Sequence, residues 1–453
     1  MARKKLVLIL ILVSFLFLVI QLLSADIFSI NPQVPKAQVS PGKDGTDLRV
    51  SVRDVLTVCK NVGIQCVLGD INWLRKYAAS RHNDLQSHDE DCNYLCADNF
   101  MSFLIQGDSL KNGKFEYLIR ELIKVRFEVK RDAREDEREL SVAKRKTSSF
   151  LVYHLYLRKS NHFFLMTFHY ERLGLSWSNF CDVSTLDDEK QIKTISSSIF
   201  CTHQRLIPTF KISSIHIDGL DVHIPKAIFS FIESVKNGIY TPCPLQHARQ
   251  FYSKYGYKSD PISEKFRSKA KNLLSIAIDV LGQLGIPFWL SSGTCLGWFR
   301  QCDVIPHSKD VDIGIWIKYY KKDLIKAFLD NGLKLKHQFG KVGDSFELSF
   351  TLNDLKLDIF FFYEEENIMW NGGTQARTGK KFKYIFPKFS LCWSHLLDLT
   401  IRVPCPTKPY VLANYGQDWN KLVEKWDWKA SPPNVRANGE WPVEERKQVI
   451  QVY

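Results

Sequence analysis

The sequence predicts an α+β fold in which the C-terminal half forms a mixed sheet with flanking helices. A mixed α/β region and an N-terminal transmembrane helix are predicted to precede it. Residues 310–317 alternate apolar and other side chains with a period of two, as a β-strand does. Between 262 and 284, apolar residues recur at intervals of three and four, which is typical of an amphipathic helix. Residues 6–23 form an apolar run, interrupted only twice, of the length that crosses a bilayer as a helix.

The first residues favour a membrane anchor with a cytosolic tail. Arg3, Lys4 and Lys5 precede the apolar run, and positive flanks stay on the cytosolic side. The run is long for a signal-peptide core and lacks a good cleavage motif, so a cleaved signal peptide is the weaker alternative. We predict a tail at 1–5, a transmembrane signal anchor at 6–25 and a lumenal remainder.

The remainder is long enough for a stem and two domains. The chain has 453 residues, 45% of them hydrophobic, and a formal net charge of +13. That charge fits a phosphate-bearing substrate, an acidic glycan or a membrane surface, and equally a merely basic surface. Residues 26–48 are rich in proline and glycine, which predicts a flexible stem. We expect a lumenal N-terminal α/β domain at 49–245 and a catalytic domain at 246–453.

The cysteines indicate disulfides rather than a zinc site. There are 11 of them, and no C-x-x-C pair occurs. Because a lumenal compartment is oxidising, we expect at least one disulfide, and the odd number leaves at least one thiol unpaired.

The N-terminal domain shows strand and helix patterns but no catalytic spacing. Residues 64–68 predict a short strand, and residues 117–125 a helix. Two further strands, at 150–157 and 163–170, are predicted to form a pair joined by a short turn. The charged stretch 130–145 is predicted to be a solvated loop or an exposed helix.

The C-terminal domain is predicted to alternate helices and strands. Gly285 and Pro287 end the first helix. The pair Asn353–Asp354 predicts a tight turn between two strands. In chain order, the predicted elements are a helix at 262–284, a strand at 288–290, a short helix at 295–300, a strand at 310–317, a helix at 319–331 and strands at 346–352 and 355–363.

Three aspartates on two of these strands are the candidate catalytic and metal-binding residues. Asp310 and Asp312 are two residues apart, so both project from the same face of their strand. Two adjacent carboxylates repel each other, and oxygen-ligated Mg²⁺ or Mn²⁺ would neutralise them. Asp358 lies within an apolar strand, where an unpaired carboxylate would be costly. We predict that Asp310, Asp312 and Asp358 form one site.

Two further features are candidates for binding the phosphates of a donor. Ser292, Gly293 and Thr294 are placed at a helix start, where exposed N–H groups bind phosphate and glycine allows close approach. An ordinary helix cap is the alternative interpretation of this segment.

The second feature is a basic block that follows a predicted turn at 371–374. Arg377, Lys380 and Lys381 bring cations that could hold a donor diphosphate or an acceptor phosphate. Solvated charge on a loop is the alternative interpretation of this block.

These motifs resemble the LicD branch of the nucleotidyltransferase superfamily related to DNA polymerase β. The branch hallmark, G-T-x-L-G-x-x-R followed by I-P-W-D-D-D-I-D, corresponds to residues 293–300 and 305–312. His307, Ser308 and Lys309 depart from it, because the branch usually has a tryptophan and two acids there. The stretches F-W-L-S-S-G-T-C-L-G-W-F-R-Q-C and W-N-G-G-T-Q-A-R-T-G-K-K-F-K-Y-I-F-P-K-F resemble the fukutin family within that branch.

This resemblance implies a polymerase β-like fold for the catalytic domain and adds Arg300 to the donor-binding residues. It implies transfer of ribitol 5-phosphate from CDP-ribitol to the phosphorylated O-mannosyl core M3 trisaccharide of α-dystroglycan. It implies a single-pass type II protein of the Golgi membrane with a lumenal catalytic part, and the endoplasmic reticulum as a further location. The implied partners are the fukutin-related protein and other O-mannosylation transferases, and no nucleic acid is expected.

Two alternatives remain at this point. Many lumenal glycosyltransferases use a D-x-D motif to hold Mn²⁺ and a nucleotide-sugar, although Gly293-Thr294 and the third acid Asp358 argue against that class. A non-catalytic partner that binds a glycan or another transferase is the second alternative, and the three intact acids argue against it.

Overall fold

The computed structural model describes residues 48–80, 94–95, 99–110, 113–136, 150–306, 308–423 and 425–453. The predicted membrane anchor and nearly all of the predicted stem lie outside these ranges, as do Cys92, Cys96 and His307. Within the described ranges, no helix is long and apolar enough to span a membrane.

Residues 48–453 form one compact unit that contains two hydrophobic cores. The buried residues of the first core run from Leu48 to Tyr240, and those of the second from Ala270 to Val411. The predicted domain boundary after residue 245 falls between the two cores and stays a prediction.

The first core is built on a mixed sheet of nine strands in the described part of the chain. These strands are β1 (Cys66–Leu68), β2 (Phe100–Gln106), β3 (Glu128–Glu135), β4 (Phe150–Lys159), β5 (His162–Arg172), β6 (Leu175–Ser178), β7 (Arg205–Ile207), β8 (Ile212–Ile217) and β9 (Leu220–Pro225). Their main order is β3-β4-β5-β2-β1-β9-β8, and β6 joins β5 to β7. The antiparallel pair β4–β5 confirms the predicted strand pair.

One prediction in this region was wrong. Of the stretch 130–145, residues 130–135 belong to a strand, β3 (Glu128–Glu135), rather than to a loop or a helix, and residues 137–145 lie outside the described ranges. Among the residues that the structure describes, β3 is the last strand of the sheet and pairs only with β4. Charged side chains are common on such edge strands because they discourage pairing with other chains.

Six helices of the described residues pack around this sheet. The predicted helix at 117–125 is confirmed with slightly earlier bounds. The helices are α1 (Leu48–Val62), α2 (Ile71–Ser80), α3 (Lys114–Lys124), α4 (Glu189–Ser196), α5 (Ile199–Thr202) and α6 (Ile228–Asn237).

The second core is built on another mixed sheet of nine strands among the described residues, and a separate hairpin packs beside it. The sheet strands are β10 (Phe288–Leu290), β11 (Asp310–Trp316), β12 (Lys334–Lys341), β13 (Asp344–Leu352), β14 (Leu355–Glu364), β15 (Ile368–Thr374), β16 (Lys380–Pro387), β19 (Val435–Glu440) and β20 (Ile450–Val452); the hairpin strands are β17 (Ser390–Leu396) and β18 (Leu399–Cys405). The main order is β19-β16-β15-β14-β13-β12-β20, and β10 joins through β11, which pairs with β14.

Helices cover this second sheet. Asp260 caps the longest helix by accepting hydrogen bonds from the N–H groups of Ile262 and Ser263, at 3.1 and 3.0 Å. Gly285, at φ +65°, ends the same helix in the left-handed conformation. The helices are α7 (Leu245–Tyr255), α8 (Pro261–Gln283), α9 (Ser292–Gln301), α10 (Asp323–Asp330), α11 (Thr407–Tyr415) and α12 (Arg446–Val449).

The predicted turn at 371–374 was also wrong, because these residues end strand β15. A Cβ atom built on Gly372 would collide with the side chain of Ser345 on β13. Gly372 therefore allows a close contact between β15 and β13, which lie on either side of β14, instead of a reversal of the chain.

Disulfides are present, as the cysteine pattern predicted. Cys181–Cys201, Cys243–Cys302 and Cys392–Cys405 are bonded. Of the described cysteines, Cys59, Cys66 and Cys295 are free and buried.

Candidate active site

The three predicted aspartates lie together at one end of the parallel strand pair β11–β14. Asp312 is the direct register partner of Asp358, and Asp310 is the partner of Lys356. One carboxylate oxygen from each aspartate lies within 4.8 Å of the others. Asp312 and Asp358 are only 7% and 6% exposed, whereas Asp310 is half-buried. The cluster is therefore open to solvent mainly at Asp310.

The start of helix α9 holds the backbone and side chain of Asp312. The N–H of Gly293 donates to Asp312 Oδ2 at 3.0 Å, and the N–H of Asp312 donates to Thr294 Oγ1 at 2.8 Å. The N–H of Ser291 also donates to the carbonyl oxygen of Asp312, at 3.0 Å. The predicted Ser292–Thr294 segment thus lies beside the acids, and in this structure it orients Asp312.

A glycine suits this position because the contact is close. A Cβ atom on Gly293 would lie 3.3 Å from Asp312 Oδ2, tighter than ordinary van der Waals contact. Ser292, which precedes it, adopts a φ of +39° and is half-buried. The chain therefore turns sharply into the helix directly above the acids.

Three further side chains bind the carboxylates, and of these the sequence analysis named only Ser308, as a departure from the branch hallmark. Lys356 Nζ donates to Asp358 Oδ2 at 2.8 Å and to Asp310 Oδ2 at 3.3 Å. Ser349 Oγ donates to Asp358 Oδ1. Ser308 Oγ donates to Asp310 Oδ1 at 2.7 Å.

Two of these residues could have been found from the predicted hairpin. A two-residue turn at 353–354 pairs residue 352 with 355, and the same register pairs Ser349 with Asp358. Lys356 lies two residues before Asp358 on the same strand, so both face the same side.

The electrostatics of the cluster favour a cation. Burial raises the pKa of the Asp312 carboxyl well above its usual range, and the charges of Asp310 and Asp358 raise it further, while Lys356 opposes the rise. Burial disfavours the charged form of Lys356, but Asp358 and Asp310 outweigh it and raise the pKa of that ammonium. Three carboxylates face one lysine, so a single cationic side chain does not balance them.

The donor set fits a divalent cation. Mg²⁺ and Mn²⁺ prefer oxygen ligands, and one oxygen from each of the three carboxylates is close enough for one ion. Among the described residues, no other set of His, Cys, Asp and Glu side chains has this spacing. Asp310, Asp312 and Asp358 are thus the residues that would hold the cation.

Arg300 lies on the same helix as Gly293 but away from the acids. It follows Ser292 by eight residues, which is about 12 Å along a helix. Its guanidinium donates to Gln301 Oε1 at 2.8 Å and to the carbonyl oxygen of Lys421 at 3.3 Å. Burial lowers the pKa of Arg300 to about 10. The described hydrogen bonds of Arg300 are with Gln301 and Lys421, and none of them is with the three aspartates.

No described contact links the basic block, Arg377, Lys380 and Lys381, to the three aspartates. Lys381 binds Asp344 at 2.6 Å, and Asp344 precedes Ser349 on β13 by five residues, about 17 Å along a strand. Arg377 and Lys380 are exposed. The structure therefore groups Ser292, Gly293 and Thr294 with the acids but not these three cations.

Comparison with known proteins agrees with this geometry. The family model described as "LicD/FKTN/FKRP, nucleotidyltransferase domain" matches residues 285–406, which include all three aspartates. The model described as "Fukutin N-terminal" matches residues 1–271. The predicted mixed α/β fold with a nucleotidyltransferase-type catalytic region is confirmed at this level.

Individual relatives extend over much of the chain. A Macaca fascicularis protein named "Ribitol-5-phosphate transferase FKTN" is 40% identical over 417 residues, 91% of this chain and 90% of its own length. A Homo sapiens protein of the same name is 55% identical over 244 residues, 54% of this chain and 53% of its own. An uncharacterized Caenorhabditis elegans protein is 30% identical over 263 residues, 55% of this chain and 65% of its own.

Among solved structures, a lincosamide antibiotic adenylyltransferase, LnuA, is similar over 29% of this chain and 77% of its own. Its sequence identity is 14% and its TM-score 0.20, which is too low to support an argument. The family models and the relatives identify the family without this structure. The chain belongs to the fukutin family.

Proposed function

We propose that this chain is a divalent-cation-dependent transferase that moves ribitol 5-phosphate from CDP-ribitol to a phosphorylated O-mannosyl core M3 trisaccharide on α-dystroglycan. The observation that carries the proposal is the cluster Asp310, Asp312 and Asp358 beside the start of α9. Relatives named as ribitol-5-phosphate transferases supply the identity of the transferred group. The acceptor follows from the family resemblance alone.

In the proposed reaction, a hydroxyl oxygen of the acceptor attacks the phosphorus that bears ribitol. A new P–O bond forms, the bond to CMP breaks, and CMP leaves with the electron pair. A bound cation would offset negative charge on the diphosphate and the leaving group. The proton of the hydroxyl needs a base, and Asp310, the most exposed of the three carboxylates, is our candidate.

The other residues position these groups. Gly293 and Thr294 fix the side chain and backbone of Asp312, so that its carboxylate does not need to reorganise during the reaction. Ser349 and Lys356 do the same for Asp358. Five further residues stay in the proposal as donor contacts predicted from sequence: Ser292, Arg300, Arg377, Lys380 and Lys381.

The test is a donor panel. The purified chain would be incubated with Mg²⁺ or Mn²⁺, a phosphorylated core glycopeptide and CDP-ribitol, CDP-glycerol or UDP-sugars. We expect transfer of ribitol phosphate, with release of CMP. Transfer of sugar from a UDP donor would favour the glycosyltransferase alternative, and no transfer from CDP-ribitol would overturn the proposal.

We further propose a type II orientation in the Golgi membrane, with the endoplasmic reticulum as a second location, and the fukutin-related protein as a partner. The positive residues before the apolar run 6–23 support the orientation. Protease protection in sealed Golgi vesicles tests it: a tag after residue 453 should resist digestion until detergent is added.

A further inference from the structure

A second concave site lies in the first core, apart from the three aspartates. It is a cavity of about 730 Å³ between helix α1, the start of β1 and the hairpin β8–β9. Its size is within the range of cavities that bind small molecules. None of the acids of the candidate active site lines it.

One side of the cavity is formed by a cationic stripe of α1. Arg53, Thr57 and Lys60 line the cavity, and their spacing of four and three residues places them on one face of the helix. All three are exposed, and among the described residues neither Arg53 nor Lys60 has an ion-pair partner. Lys114 brings a third cation close to the cavity. Its Nζ would lie 3.9 Å from a Cβ atom built on Gly63, which is one of the lining residues.

The neighbouring acids do not neutralise this stripe. Asp54, which follows Arg53, forms an ion pair with Lys159. Asp221, which accepts a contact of 2.8 Å from His216 Nδ1, is the one acid among the described residues that line the cavity. Its single charge is outnumbered by Arg53, Lys60 and the nearby Lys114. The cavity therefore has a positive excess that suits an anionic ligand.

The remaining lining favours a sugar over a nucleotide. Of the described residues that line the cavity, none is Phe, Tyr or Trp, so a nucleobase has no aromatic ring to stack on. Thr57, Gln65 and Ser214 offer hydroxyl and amide groups, which both donate to and accept from sugar hydroxyls. His223 lies 3.0 Å from Ser214 Oγ and adds a ring nitrogen.

We propose that this cavity binds a phosphorylated saccharide, with the phosphate at Arg53 and Lys60. The choice of a saccharide rests on the hydroxyl and amide groups of the lining together with the proposed function, whereas the preference for an anion rests on the lining alone. Such a site would hold a phosphorylated glycan on the first core while chemistry takes place at the second.

The test measures binding of mannose 6-phosphate to the full chain by calorimetry, without a divalent cation or a nucleotide donor. We expect binding that Arg53→Ser/Lys60→Ser weakens at least tenfold. Thr57→Glu should weaken it to a similar extent, because it places a carboxylate between the two cations without removing either. Lys193→Ser, an exposed lysine on α4 outside the lining, and Asp312→Asn should bind as the wild type does.

Two sets of binding results overturn the proposal. The saccharide is excluded if inorganic phosphate binds as tightly as mannose 6-phosphate, or if CMP or phosphatidylserine vesicles bind at the stripe instead. Absence of mannose 6-phosphate binding, or equal binding by the double variant, removes the site. A chain that binds mannose 6-phosphate here but transfers no ribitol phosphate would contradict the proposed function alone.

Discussion

Asp312 and Asp358 face each other directly across the parallel ladder between β11 and β14. Their positions are separated by 46 residues of sequence, yet the ladder fixes them as nearest neighbours. Each has its own support, since Gly293 and Thr294 bind Asp312, and Ser349 and Lys356 bind Asp358. Hydrogen bonds thus fix both carboxylates in the absence of a ligand.

Loss of one carboxylate should remove transfer but not the fold. We expect Asp358→Asn to lower the rate of ribitol phosphate transfer by at least about a hundredfold, because a cation ligand is lost. Asp354→Asn, an exposed aspartate in the turn before β14, makes the same charge change and should leave the rate unchanged. Wild-type turnover in Asp358→Asn would remove this residue from the site.

A divalent cation should stabilise the folded chain through the same cluster. At a Mn²⁺ concentration a hundred times Kd, the free energy of unfolding should rise by about 2.7 kcal/mol, because only the folded state assembles the three ligands. Thermal unfolding with and without Mn²⁺ measures this. Asp312→Asn should lose most of the gain, whereas an equal gain in that variant would mean that the ion binds elsewhere.

Lys356 should compete with the cation. In Lys356→Met, a positive charge beside Asp310 and Asp358 is absent, so Mn²⁺ should bind on the order of tenfold more tightly. Without the cation, the variant should be less stable than the wild type by about 1–3 kcal/mol, since a buried carboxylate loses its donor. The control is Lys318→Met, which breaks an exposed pair with Glu364. Weaker Mn²⁺ binding to Lys356→Met would contradict the competition.

The stability of the cation-free chain should depend on pH through Asp312. Burial first, and then Asp310 and Asp358, raise the pKa of this carboxyl in the folded state. Above the ordinary aspartate pKa of about 3.9, the folded chain therefore keeps a proton that the unfolded chain has released. Stability should fall as pH rises from there through the raised pKa.

Comparison with Asp312→Asn isolates this contribution, because the other titrating groups are common to both chains. The variant should gain stability over the wild type as pH rises in that window, and the two should converge near pH 4. A constant difference across the window would show that the carboxyl titrates normally.

The buried pair Arg267–Asp303 should be essential for stability. Arg267 Nε donates to Asp303 Oδ2 at 2.7 Å, and both side chains are nearly inaccessible. Arg267→Met would leave a buried carboxylate unpaired, so we expect a loss of about 3–5 kcal/mol in the free energy of unfolding. Adding Asp303→Asn should restore part of it. Lys269→Met, which breaks the exposed pair with Asp354, should cost less than about 1 kcal/mol.

The sequence could predict the parts of the site that local patterns determine. The period of two placed Asp310 and Asp312 on one face, and the turn at 353–354 placed Asp358 on a hairpin. Both follow from backbone geometry within one element. The parallel pairing of β11 with β14 is non-local, and the burial of an aspartate in an apolar strand indicated it only indirectly.

The errors have physical causes of the same kind. Glycine has weak strand preference, but the close contact of Gly372 with Ser345 on β13, two strands along the sheet, leaves no room for a side chain. The charges of β3 are acceptable because that strand is at an edge. Arg300 is carried away from the acids by two turns of helix. For Gly372 and β3, the arrangement of segments that are distant in sequence decides the outcome, and a local sequence pattern does not contain that information.

Strand β20 has a consequence for the solubility of the molecule. It pairs with β12 from His337 to Phe339 and so occupies hydrogen-bonding groups that would otherwise face solvent. An uncovered strand of this kind is a template on which another copy can add a strand and start an aggregate. Among the described strands β20 then forms the end of the sheet itself, but it has only three residues, and so short an edge offers another copy few groups to pair with.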